Sequence, residues 1–122
     1  RSFSAGWQRN VPFLREVEKE PCLHIHPESA RARGIADGDM VTVTSPHGSL
    51  TVRAEYYPGI RKDTVMLLHG WWQGCKELGL PDMPLLDGGA NVNLLYTPDL
   101  AKCCDPLITA MGSQTLVNVS KA

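Results

Sequence analysis

Apolar and polar positions alternate in three places in the first half of the chain, and this alternation is typical of half-buried β-strands. The first run covers residues 23–26, the second is the β-branched stretch 40–44, and the third covers residues 49–55. Between the second and third runs, Ser45–Gly48 contains Pro and Gly and predicts a hairpin loop. The pattern therefore predicts one strand followed by a β-hairpin.

A short helix is predicted between the first strand and the hairpin. Pro27 suits the first helical position, and Glu28 complements the positive end of the helix dipole. Gly34 can adopt the left-handed conformation that ends a helix, and Gly38 can supply positive φ to the following turn, residues 35–39. We expect about two helical turns, which need packing to persist.

The second half of the chain is less regular. Residues 64–68 predict a mostly apolar strand that is buried on both faces. Residues 69–93 follow with repeated Gly, Pro and Asp and no stable period, and loops this long in a compact domain are usually functional or disordered. Residues 98–104 predict a short helix, and the alternating residues 116–119 predict a closing strand.

The N-terminal stretch, residues 1–22, predicts a loop over the domain surface with a short helical segment that Pro12 can open. Short strands with Gly- and Pro-rich turns predict a mainly β protein, and they favour a small closed barrel. With 122 residues, the chain fits a single domain, residues 1–122. It begins at Arg1 without methionine, so we expect a fragment of a larger protein.

Composition and charge narrow the classes of function. The chain has 12 Lys and Arg against 13 Asp and Glu, a net charge of −1, so no overall field favours nucleic acid or anionic lipid. No stretch approaches the ~20 apolar residues of a membrane span, and we expect no direct membrane contact. The 4 cysteines lack the Cys-x-x-Cys spacing of zinc sites. Free thiols favour an intracellular, cytoplasmic setting, with the periplasm as the alternative.

Several polar and aromatic side chains are candidates for ligand binding. Arg9 and Asn10 are candidate donors in the N-terminal loop. Trp71 offers a flat face that can pack in the core or support a planar heterocycle. Asn91 and Asn93 offer the donors and acceptors that complement pterin or purine edges, and in an extended segment both would point the same way.

The histidines give weaker indications. His24 and His26 lie two apart on a predicted strand, as a metal pair would, but no third ligand has suitable spacing and ordinary hydrogen bonding is expected. His69 follows a predicted strand and can face a cleft or make a structural hydrogen bond. The sequence contains no nucleophile–base motif, dinucleotide fingerprint or P-loop. These residues indicate a binding module with no catalytic and no metal-ligating residue.

One ordered set of segments covers nearly the whole chain, and it consists of Arg9–Arg15, Ile25–Ala30, Gly34–Val41, Ser45–Gly48, Pro58–Ile60, His69–Trp72 and Asn91–Asn93. In order and spacing, these segments resemble the molybdopterin dinucleotide-binding domain that closes the catalytic subunits of the dimethyl sulfoxide reductase family. The His-Gly-Trp-Trp segment is most similar to polysulfide or thiosulfate reductases and to relatives of acetylene hydratase. Where many relatives carry Asn before the helix proline, this chain has His26.

The resemblance implies a double-psi β-barrel that covers one face of molybdopterin guanine dinucleotide, with molybdenum or tungsten held by the parent enzyme. It places the metal ligand and the iron–sulfur cluster in upstream domains of the same chain, and it is compatible with a partner that transfers electrons, an electron-transfer subunit. The alternative is a cofactor-free double-psi barrel that serves as an adaptor or docking module. By position, the resemblance implies cofactor contacts from Arg1, Gln8, Arg9, Asn10, His69, Trp71, Asn91 and Asn93.

Overall fold

The computed structural model describes residues 6–96 and 115–122, and its main feature is one five-stranded mixed sheet. Strands β1 and β3 are parallel, and every other neighbouring pair is antiparallel. The sheet curls into half a barrel, and the helices around it are few and short. In spatial order the strands are β4 (Val65–Leu67), β1 (Cys22–Ile25), β3 (Ser49–Tyr56), β2 (Met40–Thr44) and β5 (Asn118–Lys121).

Short helical segments connect the strands. The first α-helix, α1, begins at Pro12 as predicted, and α2 follows β1. None of the helices in the described part of the chain has the length and apolar character that a membrane crossing requires. Their bounds are α1 Pro12–Arg15 and α2 Pro27–Arg31, with 3₁₀ turns at Gly6–Asn10, Lys76–Leu78 and Val92–Leu95.

The predicted hairpin is confirmed. Strand β2 pairs with β3 so that Val41 faces Val52 and Val43 faces Leu50 across the ladder. These four side chains are buried, while the alternate positions of β3 are exposed. Cross-strand apolar pairs of this kind fix the register, because a shift by one residue would turn every buried side chain outward.

The predicted start of α2 at Pro27 is also confirmed, but the helix is only 5 residues long and ends at Arg31, before the predicted end at Gly34. Pro27 occupies its first turn, and His26 caps it because the His26 Nδ1 accepts a hydrogen bond of 3.2 Å from the backbone N–H of Glu28. A histidine thus fills the N-cap position, for which Asn is among the preferred residues in proteins. Beyond the helix, Gly34 has φ +68° and Gly38 has φ +85°, values that L side chains rarely adopt.

One hydrophobic cluster joins the sheet, α2 and the irregular second half of the chain. Two of its members, Trp71 and Ala90, come from the long segment that has no apolar period, and Leu95 follows directly after that segment. That segment is therefore anchored in the core at both ends. The cluster consists of Leu23, Ile25, Ala30, Ile35, Val41, Val43, Leu50, Val52, Ala54, Trp71, Ala90, Leu95 and Val119.

Two predictions about the strands are corrected. Strand β1 is not half-buried, because it lies between β3 and β4 and has His24 buried together with its apolar neighbours. Strand β4 is not buried on both faces. It covers only Val65–Leu67, all half-buried, because within the described residues it pairs with β1 alone and is an edge of the sheet.

The predicted closed barrel is seen as a half-barrel. Within residues 6–96 and 115–122 the sheet ends at β4 on one side and at β5 on the other. A cavity of about 370 Å³ lies between these edges, with Val65 and Val119 in its lining. The closing strand begins at Asn118, two residues later than predicted, and the helix predicted for residues 98–104 lies outside the described residues.

The contact between the hairpin loop and the turn at Val92–Leu95 depends on the missing side chain of Gly48. A Cβ at this position would lie 2.4 Å from the carbonyl oxygen of Leu94. We expect Gly48→Ala to lower the free energy of unfolding by about 1–3 kcal/mol, as overpacked positions do, measured by urea denaturation. Gly59→Ala is the control, since its Cβ would meet only the exposed ring of Tyr57 at 3.2 Å. Equal stability of the two variants would contradict the prediction.

Candidate functional site

Two arginine side chains stack on the indole ring of Trp71. The Cζ atom of Arg9 lies 3.9 Å from the ring centroid, and that of Arg15 lies 4.8 Å from it. All three side chains are buried, with exposures of 1%, 2% and 3% for Arg9, Arg15 and Trp71. Arg9 lies in the first 3₁₀ turn and Arg15 ends α1, so this stack joins the N-terminal segment to the loop after β4.

The same two arginines also hold the backbone on either side of Trp71. Arg9 Nη2 donates a hydrogen bond of 2.9 Å to the carbonyl oxygen of His69, and Arg15 Nη1 donates one of 3.4 Å to that of Gln73. Arg9 Nη1 also lies 3.4 Å from a carboxylate oxygen of Glu18. The carbonyl groups two residues before and two residues after Trp71 are therefore fixed by cations.

Burial changes the acid–base properties of both arginines. It lowers the pKa of Arg9 to about 10, with Glu18 opposing the shift and Arg15 adding to it. Burial likewise lowers the pKa of Arg15. Both groups remain cations at neutral pH, and the negative face of the indole ring stabilises such a charge by about 0.5–2 kcal/mol.

The loop beyond the stack closes tightly on itself. Cys75 and Leu80 form an isolated antiparallel bridge, and a Cβ on Gly74 would lie 2.4 Å from the Leu80 carbonyl oxygen. The backbone N–H of Gly74 donates a 2.7 Å hydrogen bond to the carboxylate of Asp82. This loop and Asn10 enclose a cavity of about 490 Å³. Only glycine lets the two arms of the loop approach this closely.

Asn91 and Asn93 have different environments. The segment is not extended as predicted, because Asn91 caps the turn at Val92–Leu95 by accepting a 3.1 Å hydrogen bond from the backbone N–H of Asn93. The Asn91 amide nitrogen also donates a 2.9 Å hydrogen bond to the carbonyl oxygen of Leu85. The Asn91 carboxamide therefore stabilises the loop, whereas the Asn93 side chain is exposed.

The structure divides the predicted site residues into groups. Arg1 lies outside the described residues, and Arg9 and Trp71 are buried in the stack. The segment with Asn91 and Asn93 packs against the hairpin loop through Gly48 and Leu94. Three further predicted residues lie next to the stack. Gln8 is half-buried, whereas Asn10 and His69 are exposed.

Sequence reasoning missed Arg15 and Gln73. Arginine is rarely buried, so the default expectation for Arg15 is an exposed side chain at the end of a short helix. The sequence does contain one signal for Arg15. Arg9 and Arg15 lie on either side of Pro12, and a turn of helix opened by Pro12 can bring both side chains to the same aromatic ring. Gln73 carries no motif and becomes noticeable only through the cavity that it lines.

His24 in β1 and His26 after it make different hydrogen bonds. His24 Nε2 lies 3.0 Å from a carboxylate oxygen of Glu55, and its ring packs 5.6 Å from that of Tyr57. His26 faces the helix that it caps. Within residues 6–96 and 115–122, no group of three or more His, Cys, Asp or Glu side chains could hold a metal ion. The expectation of hydrogen-bonded histidines is confirmed.

Sequence comparison relates the chain to much longer proteins. Residues 1–105 match the family described as Molydopterin dinucleotide binding domain. A putative dimethyl sulfoxide reductase catalytic subunit of Halobacterium salinarum is 51% identical over 63 residues, which are 52% of this chain and 8% of that protein. The alpha subunit of dimethylsulfide dehydrogenase from Rhodovulum sulfidophilum is 39% identical over 99 residues, which are 73% of this chain and 11% of that protein.

Structural comparison gives a concordant fold. Acetylene hydratase from Pelobacter acetylenicus superimposes with a TM-score of 0.73, covering 99% of this chain and 17% of that chain at 22% sequence identity. At this identity the likeness shows a shared fold. The chain thus spans 8% and 11% of the length of the two curated relatives and 17% of the solved structure.

The arginine stack predicts a large loss of stability for Arg9→Ala. The variant loses a charge-assisted hydrogen bond to a carbonyl group and the contact with the indole ring, so we expect the free energy of unfolding to fall by about 2–3 kcal/mol in urea denaturation. Arg33→Ala is the matched control, since exposed Arg33 also donates to a carbonyl oxygen, that of Ser29 at 2.9 Å. It should lose less than about 0.5 kcal/mol. Similar losses in both variants would show that the stack contributes little.

Proposed function

The chain belongs to the family of molydopterin dinucleotide binding domains, and on that premise we propose that it forms one face of a cofactor site in a larger oxidoreductase. The cofactor is molybdopterin guanine dinucleotide. The observation that carries the proposal is the family match, which runs from residue 1 to residue 105. The match includes the N-terminal segment and the long loop at residues 69–93. When bound, the cofactor supplies the redox-active metal, molybdenum or tungsten.

The residues present fit such a group. Pterin and guanine edges carry donors and acceptors side by side, and a carboxamide complements both. Asn10 and Asn93 each present an exposed carboxamide on a segment whose backbone is held by buried contacts. Segments that are already ordered lose little conformational entropy when a ligand binds, so these contacts favour binding.

The predicted contacts then have two kinds of role. Gln8, Asn10, His69 and Asn93 are proposed to contact the cofactor, because their side chains are exposed or half-exposed. Arg9, Trp71 and Asn91 are proposed to position the loops that carry these contacts, since their side chains are engaged within the protein. Arg1 remains a predicted contact.

Larger-scale features are part of the same proposal. We propose that residues 1–122 form one domain of a catalytic subunit, with upstream domains that hold the iron–sulfur cluster and the metal ligand. A separate electron-transfer subunit is the proposed partner.

The parallel pair β1 and β3, which is connected through α2 and β2, supports a double-psi barrel. The His69–Trp72 segment supports a parent enzyme of the polysulfide or thiosulfate reductase-like subgroup.

The alternative function is a cofactor-free adaptor or docking module. Neither the comparisons nor the described geometry supports it. The larger proteins to which the chain is similar carry oxidoreductase names, dimethyl sulfoxide reductase and dimethylsulfide dehydrogenase among them. We therefore retain cofactor binding as the proposed function.

The proposal predicts that Asn93→Ala lowers cofactor retention in the full-length enzyme. Loss of hydrogen bonds from one carboxamide weakens binding by about 1–3 kcal/mol, which is roughly 5- to 150-fold. Metal content and the fluorescence of the oxidised pterin, both expressed per protein chain following gel filtration, measure the effect. Asn118→Ala, which removes an exposed Asn from β5, is the matched control and should retain wild-type content. Unchanged metal and pterin in Asn93→Ala would argue against the proposal.

A further inference from the structure

The lining of the cavity beside Asn10 includes a side chain with a buried polar atom that the described residues do not satisfy. Gln73 lines this cavity of about 490 Å³, and within the described residues the Gln73 Oε1 atom is buried without a hydrogen-bond partner. A buried acceptor left in this state costs about 1–3 kcal/mol. A small rotation of the carboxamide toward the cavity would let a ligand donor satisfy it.

The backbone that carries Gln73 is held by contacts at Gln73 itself and at the next residue. Its carbonyl oxygen accepts from Arg15, whose guanidinium lies against Trp71. The next residue, Gly74, is held by the carboxylate of Asp82 and by its close approach to Leu80. The side chain can therefore turn while its attachment point stays in place, as a recognition residue requires.

The charges around the cavity favour a neutral, flat ligand over a free phosphate. Lys76 contributes one cation, but Glu77 and Asp82 contribute two carboxylates that would repel an anion. Leu80 and Pro81 add apolar surface on which a ring can lie, and the Asn10 carboxamide adds a second donor and acceptor. A volume of this size suits a small heterocycle.

We propose that this cavity binds the 2-amino-4-oxopyrimidine edge that pterin and guanine share, with Gln73 accepting from its ring N–H or its exocyclic amino group. The inference rests on the proposed function and adds a recognition residue to it. The edge presents two adjacent N–H donors beside a carbonyl group. It would supply the missing donor for Gln73, while the Asn10 carboxamide can accept or donate at its rim.

Binding to the complete enzyme, prepared without cofactor, tests the proposal. Guanosine monophosphate and pterin-6-carboxylate are titrated separately by calorimetry against wild type and against two variants of Gln73. Gln73→Met keeps the side-chain volume and removes the acceptor, whereas Gln73→Glu keeps acceptor oxygens at the same position. We expect Gln73→Met to weaken one of the two ligands about tenfold or more, and Gln73→Glu to stay within about threefold of wild type. The ligand that responds identifies which end of the cofactor occupies the cavity.

Inosine monophosphate provides a control on the chemistry, because it lacks the exocyclic amino group. If the guanine end binds here through that group, wild type should bind inosine monophosphate more weakly than guanosine monophosphate, and Gln73→Met should abolish the difference. If the ring N–H is the donor, Gln73→Met should weaken both nucleotides equally. In both cases binding depends on Gln73.

The inference is overturned if Gln73→Met binds both guanosine monophosphate and pterin-6-carboxylate as tightly as wild type, or if wild type binds neither. Failure of this inference can be told apart from failure of the proposed function. Cofactor loss in Asn93→Ala together with unchanged ligand binding in Gln73→Met would reject only the subsite at Gln73. Full cofactor retention in Asn93→Ala would argue against the proposed function itself.

Discussion

Two buried guanidinium groups against one indole ring are the interaction on which the irregular half of this domain depends. Burying a cation is costly, and the lowered pKa of Arg9, about 10, records part of that cost. The protein offsets it with the face of Trp71 and with the carbonyl oxygens of His69 and Gln73. In the described part of the chain these acceptors lie outside the strands. The arginines therefore satisfy backbone groups of the loop that strand pairing would satisfy in a sheet.

The same logic extends along the long loop. Where a strand would satisfy its backbone groups by pairing, this segment uses side chains, as the Asn91 carboxamide does for the carbonyl oxygen of Leu85 and the N–H of Asn93. Glycine at position 74 lets two backbone arms touch where a side chain would separate them. The loop is thus ordered by a few specific contacts, and some of its other polar side chains, such as that of Asn93, are exposed.

The regular part of the fold could be predicted from sequence because each of its signals is local. The alternation of apolar and polar positions predicts the hairpin. Pro27 marks the start of α2 and Gly34 marks the turn that follows it, and both residues lie close to the helix in the sequence. The burial of His24 could not be predicted, since it follows from the place of β1 between two other strands. The half-buried β4 could not be predicted either, because edge position depends on pairing between distant segments.

Prediction from sequence is limited in the same way for single side chains of the candidate site. Arg9 and Asn93 were both recognised as polar residues in loops, and nothing local indicates that one is buried and the other exposed. The difference arises because Trp71 lies within reach of Arg9, whereas Asn91 takes the internal hydrogen bonds of its own turn and leaves Asn93 outside. Motif spacing therefore identifies the segments of the proposed site, and the buried contacts decide which of their side chains are engaged within the protein and which are exposed. This division explains why two asparagines of one Asn-x-Asn motif have different environments.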